Sequence, residues 1–124
     1  MSNHHDTVMG RIPVLECLRA RRRKALQLFL LESARDLGEI RAAAGHIPVR
    51  EVSRQELEKL SDGGSHQGVV LFANPIPVRP LNEWLAGKIA SDAVLVILDC
   101  IEDPQNFGAI VRSAAACGAA GVLF

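Results

Sequence analysis

Leu95-Val96-Ile97-Leu98-Asp99-Cys100-Ile101-Glu102-Asp103-Pro104-Gln105-Asn106-Phe107-Gly108-Ala109-Ile110-Val111-Arg112-Ser113-Ala114-Ala115-Ala116-Cys117-Gly118 reads as a strand, a polar turn and a helix. Val94 to Leu98 is uninterruptedly apolar, as a strand buried on both faces of a parallel sheet is. Asp103 before Pro104 suits an N-cap followed by proline at the first helical position, with Asn106 as the alternative cap. Phe107, Ile110, Val111 and Ala114 fall at i, i+3, i+4 and i+7 and form the expected buried stripe. Arg112 lies roughly 200° around from Ile110 at about 100° per residue. One turn away it meets only Gly108, Ala109, Ala115 and Ala116. A guanidinium among small side chains leaves room for a phosphate or ribose to approach its planar fork. In open α/β sheets ligands bind outside the carboxyl ends of strands, and helix N-termini favour anions. The competing reading is a solvated arginine on an alanine-rich helix after an ordinary turn. The turn lacks G-x-G-x-x-G, which counts against a dinucleotide site and against a nucleotide-binding α/β enzyme of that type.

Upstream, strands and helices alternate. Ile12 to about Arg22 carries a rough helical stripe (Ile12, Val14, Leu15, Leu18), with Pro13 tolerated in the first turn. Gln27–Leu31 is a short apolar run of strand length, and Arg35–Ala44 reads as a helix stopped by Gly45. Ile47–Val52 alternates as a strand does. Ser53-Arg54-Gln55-Glu56 is a capping box opening a short helix through Leu57 and Leu60. Gly63-Gly64 ends that helix, and Gly68–Ala73 is a third strand. This order predicts a mostly parallel sheet with helices packed on it. Asn74-Pro75-Ile76-Pro77-Val78-Arg79-Pro80 then reads as an extended, semi-rigid linker. Beyond it come a helix around Leu81–Ile89 with Trp84, Leu85 and Ile89 buried, the strand–turn–helix above, and a strand from Gly121 to Phe124. Roughly 45 residues are at or below the size of an independent domain. The expectation is therefore a small complete domain at 1–73, a linker at 74–80, and the first part of a larger domain at 81–124.

Composition bounds the function classes. The chain has 124 residues, 48% hydrophobic and 23% charged, as in a globular chain. No run approaches the ~18 apolar residues of a membrane span, and the N-terminus has no signal-peptide pattern. Fourteen cations balance fourteen acids. Any nucleic-acid contact must therefore be local. The positive charge is clustered in Arg19, Arg21, Arg22, Arg23 and Lys24, where the alternative is a solvated helix C-terminus favoured by the macrodipole. Cys17, Cys100 and Cys117 are odd in number and lack metal-ligand spacing, which suits free, buried or half-buried thiols in a reducing cytoplasm. His4-His5 reads as a disordered terminus rather than a metal site, and no metal site is expected elsewhere. His66 reads as a structural residue of the turn into the third strand. Glu102-Asp103 is not a paired-carboxylate site, since adjacent side chains diverge and Asp103 has a capping role.

Leu98-Asp99 through Ala116 closely resembles the first motif, L-D-x-I-x-D-P-x-N-x-G-A-I-x-R-S-A, of the SpoU (TrmH-type) RNA 2'-O-ribose methyltransferases, members of the trefoil-knotted SPOUT class. Gly10 through Arg19 resembles the G-x-x-x-V-x-E-x-L segment of the small substrate-binding domain in that family, and His66-Gln67-Gly68 its H-Q-G. The resemblance implies a small α/β domain of the ribosomal-protein L30e-like type, followed by the first strand–helix unit of an incomplete SPOUT (trefoil-knot) domain. It implies methyl transfer from S-adenosylmethionine to a ribose 2'-hydroxyl of RNA, with Asn106 and Arg112 at active-site positions. The substrate it suggests is a guanosine of large-subunit (23S) rRNA, with tRNA second. It also implies RNA binding by the first domain, where Arg19, Arg21, Arg22, Arg23 and Lys24 are the candidates, and a homodimer for the complete protein in the cytoplasm.

The later motifs, which bring most of the cofactor pocket, are expected beyond Phe124. This polypeptide alone is therefore expected neither to bind the cofactor nor to methylate RNA, and to expose apolar surface in its C-terminal part. The alternative is a non-catalytic L30e-like RNA-binding module with a vestigial tail. The two part on whether N-x-E-G and S-x-N-V-S-type segments follow in the reading frame.

Overall fold

The computed structural model describes residues 4–124. The element order is β1 (Asp6–Met9), α1 (Arg11–Ala20), β2 (Ala25–Leu31), α2 (Gly38–Ala44), β3 (Val49–Val52), α3 (Arg54–Leu60), β4 (Val69–Ala73), α4 (Leu81–Leu85), β5 (Leu95–Ile97), α5 (Pro104–Ala116) and β6 (Gly121–Leu123). Two compact units divide these elements, Met1–Pro77 and Val78–Phe124.

In the first unit, alternation along two strands builds a core on each face of a four-stranded sheet ordered β1-β4-β2-β3. Leu28 and Leu30 of β2 and Val69 and Leu71 of β4 meet Val14 and Leu18 of α1 and Ile40 and Ala44 of α2. Phe29 and Val70, one residue out of phase, meet Val52 and Leu57 on the other face. Leu28, Leu30, Val69, Val70 and Leu71 are completely buried, which is why these strands read as continuous apolar runs.

The sheet is mixed rather than mostly parallel. β2 and β3 pair in parallel across α2, but β4 runs antiparallel to both β2 and β1. The cause is the path out of β3. Seven helical residues of α3, about 10 Å long, are followed by turns through Asp62 (φ 49°) and Gly63 (φ 74°). These bring the chain back to the carboxyl end of β2, where Leu31 N–H donates to Gly68 C=O at 2.9 Å. β4 therefore begins where β2 ends. Its other edge takes β1, a strand not anticipated, with Asp6 opposite Ala73 and Met9 opposite Val70. His5, expected to be disordered, stacks on Phe72 with centroids 3.9 Å apart.

The second unit is a parallel pair of strands, β5 and β6, with Val96 opposite Val122. Asp103 accepts from Gln105 N–H at 2.9 Å and opens α5, with Pro104 at the first helical position as expected. Ala114 is buried and Phe107, Ile110 and Val111 are half-buried. Phe107 meets Phe124 edge-on at 5.1 Å. Trp84 lies over Gly121, where an added Cβ would stand 3.4 Å from the indole. Two expectations fail here. The helix from Leu81 ends at Leu85, before Gly87 and short of Ile89, and only Trp84 of its expected face is covered. The run from Val94 to Leu98 is not buried on both faces: Val94 is 63% and Ile97 74% exposed, because little packs over a sheet of only two short strands.

Candidate functional site

Three groups of chemically suited residues emerge. The first lies along α5. Asn106 occupies its exposed first turn, and Arg112 stands nearly two turns later on an exposed face. The Arg112 guanidinium reaches back over Gly108: a Cβ added there would lie 3.4 Å from Nη1. Six residues separate Asn106 from Arg112, about 9 Å along the axis and about 120° around it. No hydrogen bond joins them, and among the described residues Arg112 has no acidic partner. Glu102 is exposed beside the Asp103 cap and has no ion-pair partner among the described residues.

The second is the basic segment between α1 and β2. Its members separate into two kinds. Arg19 pairs with Glu39 of α2. Arg23 is only 12% exposed and donates from Nη2 to Asp6 at 2.9 Å, tying the segment to β1, while its Nε is buried without a partner among the described residues. Arg21, Arg22 and Lys24 are exposed and make no side-chain hydrogen bond or ion pair among the described residues. Arg21 has φ 51°, so the chain turns out of α1 through a left-handed residue and spreads the following cations. These residues line one side of an open cleft of about 570 Å³ whose other side is the end of α2 with His46 and Ile47. Cys17 sits at its base. Burial pushes this thiol up, against the opposing pull of the Arg23 charge. Cys100 and Cys117 are exposed, contrary to the sequence reading, because the short second unit covers little of its own surface.

The third group joins the His66-Gln67-Gly68 turn to the start of α1. His66 Nδ1 accepts from Gly68 N–H at 3.0 Å, the structural role expected of it. Gln67, at φ 52°, does more than the sequence suggested: its Oε1 accepts from Arg11 N–H at 3.0 Å. Gly10 precedes α1 without a capping side chain, so Gln67 substitutes for one from 56 residues away. Arg11 then donates to the carbonyls of Gln67 and Arg35 at 3.4 and 3.2 Å. Neither this link nor the partnership of His46 with the basic segment has a local sequence signature.

The family model described as RNA 2'-O ribose methyltransferase substrate binding matches residues 7–78, and the chain belongs to that family. It is 45% identical over 123 residues to an uncharacterized tRNA/rRNA methyltransferase of Mycobacterium ulcerans (strain Agy99), covering 95% of this chain and 40% of that one. The chain thus spans about 40% of the length of the curated relatives it matches. Its fold is similar to a crystal structure of an RNA 2'-O ribose methyltransferase, with TM-score 0.71 and 27% identity over 98% of this chain and 45% of that one. It is also similar in fold to the SpoU methyltransferase AviRb from Streptomyces viridochromogenes in complex with the cofactor AdoMet. That match has TM-score 0.67 and 20% identity, covering 95% of this chain and 44% of that one. Among the described residues no helix is long and apolar enough to cross a membrane.

Proposed function

We propose that the chain supplies the RNA-binding and first catalytic segment of a cytoplasmic, homodimeric RNA 2'-O-ribose methyltransferase that uses S-adenosylmethionine. Its substrate in this proposal is a guanosine of 23S rRNA, with tRNA the second choice. The observation that carries the reading is the Arg112 guanidinium laid over Gly108, without an acidic partner among the described residues, on a helix whose opposite stripe is half-buried.

The residues present do not by themselves fit the cofactor. β5 and β6 are a pair of three-residue strands, and Ile97 and Phe124 are 74% and 76% exposed, so no wall closes around a ligand there. In the proposal its pocket lies outside these 124 residues, as their share of the relatives' length allows, and the chain alone neither binds it nor methylates RNA. S-adenosylmethionine would supply the methyl group.

The chain's own residues act on the RNA. Arg112 orients the ribose and its phosphate and stabilises the negative charge that develops on the 2'-oxygen as the hydroxyl passes its proton to solvent water. Arginine remains protonated in proteins, so this role is electrostatic rather than that of a base. Asn106 positions the ribose by hydrogen bonding. In a polypeptide of the relatives' length, Arg112→Lys keeps the charge and removes the planar fork. Turnover should fall about 100-fold or more, the cost of losing a preorganised donor. Full turnover by that variant would overturn the role.

A further inference from the structure

We infer that the cleft between the α1–β2 segment and the α2–β3 turn is an RNA-backbone cradle, in which Arg21, Arg22 and Lys24 contact phosphates and His46 closes the opposite wall. This rests on the reading of the chain as an RNA-binding methyltransferase segment and narrows where the RNA lies. It differs from a linear basic patch in two ways: it adds His46, and it removes Arg19 and Arg23 from the contacting set.

Charge is the first support. The chain has equal numbers of cations and acids, yet the lining of this cleft has four cations and no acid. The ends of α1 and α2 both lie at it, and each contributes about half a negative charge. With Arg23 neutralised by Asp6, about one negative unit stands against the three positive charges of Arg21, Arg22 and Lys24, which leaves the cleft electropositive. A capping role does not absorb the cations, because Arg21, Arg22 and Lys24 donate to no helix carbonyl among the described residues.

Division of labour is the second. The two cations held by acids stand where they brace the fold: Arg19 ties α1 to α2, and Arg23 ties the segment to β1. With the loop anchored by Arg23, its exposed neighbours lose less freedom when a phosphate is bound. The cleft is open and its lining mixes guanidinium, ammonium and imidazole donors over an apolar floor that includes Leu18 and Ala44. That suits a repeating anionic backbone rather than an enclosed small molecule.

The test uses the 124-residue chain and a fluorescein-labelled RNA hairpin, with anisotropy measured from about 50 to 200 mM salt. The cleft variant is Arg21→Asn, Arg22→Gln, Lys24→Gln, asparagine being chosen because it tolerates the left-handed backbone at 21. The control, Arg41→Gln, Arg50→Gln, Arg54→Gln, removes the same charge from residues that are ion-paired elsewhere on the domain.

Three lost phosphate contacts reduce the salt slope by about 0.9 each, so the wild type should lose about 40-fold more affinity across that range than the cleft variant. The control should keep the wild-type slope. His46→Ala should weaken binding about 2- to 10-fold, the worth of a hydrogen bond, and serves if the triple variant loses its circular dichroism spectrum. Equal slopes for cleft variant and control, unchanged affinity in His46→Ala, or no hairpin binding by the wild-type chain would each overturn the cradle. An unchanged slope with methyl transfer intact in a polypeptide of the relatives' length removes the cradle alone. Absence of methyl transfer by the unsubstituted polypeptide of the relatives' length, with the slopes behaving as expected, removes the catalytic reading alone.

Discussion

Replacing Gln67 separates the two things that residue does. Its Oε1 accepts from Arg11 N–H at 3.0 Å, at the start of a helix preceded by Gly10. Its backbone is at φ 52°, where a side chain carries a penalty. Gln67→Ala keeps the penalty and loses the hydrogen bond, a cap-type loss of about 1 kcal/mol. Gln67→Gly loses the same bond but releases about 1 kcal/mol of left-handed strain, partly returned as extra entropy of the unfolded chain. The order of stability should be wild type, then Gly, then Ala. With a urea m-value of about 1 kcal/mol/M for a domain of this size, the Ala variant's midpoint should drop by about 1 M. Far-UV circular dichroism on urea titration measures this. An Ala midpoint equal to wild type would refute the remote cap, and a Gly variant less stable than Ala would refute the left-handed turn.

The remaining predictions probe other elements. Gly108→Ala in α5 should raise helix stability by about 0.5–1 kcal/mol, since the added Cβ meets only the movable end of Arg112 at 3.4 Å; in the proposed enzyme the same change should lower methyl transfer by narrowing the space beside that guanidinium. Thermal unfolding and turnover measured together check both signs. Cys17 should be the last cysteine labelled by iodoacetamide, because it is half-buried while Cys100 and Cys117 are exposed. Burial raises its pKa in the folded state, so its contribution to stability is complete below the ordinary thiol range and is lost as pH rises through the raised value. Mass-spectrometric labelling across pH should show Cys17 accelerating only in alkali. Early labelling at neutral pH would contradict the burial.

Local signals were readable where they acted locally. Asp103-Pro104 opened α5 as its residue types dictate, and Ser53 accepts from Glu56 N–H at 3.3 Å. The reciprocal half of that capping box is absent because the Glu56 carboxylate pairs instead with Arg50 at 2.9 Å. Continuous apolarity marked β2 and β4 correctly and misled at β5, where the same pattern lies beside a single strand. β1 escaped notice because Asp6-Thr7-Val8-Met9 becomes a strand only by pairing with the edge of β4. The direction of β4 depended on a turn after α3 whose geometry no periodicity encodes. Residues and spacing around Arg112 left a solvated arginine as an equal reading, and only the resemblance of the motif to a family gave it a role, whereas the cleft had no signal of either kind. Residues 21–24 and 45–47 meet only after α1 has packed on α2.

The most direct measurement is the position of the methyl group. RNA should be incubated with methyl-labelled S-adenosylmethionine and a polypeptide of the relatives' length, then hydrolysed in alkali, to which a 2'-O-methylated linkage is resistant. The account predicts label in an alkali-resistant dinucleotide from rRNA, with its loss in Arg112→Ala. Label on a base, or label undiminished in that variant, would contradict it.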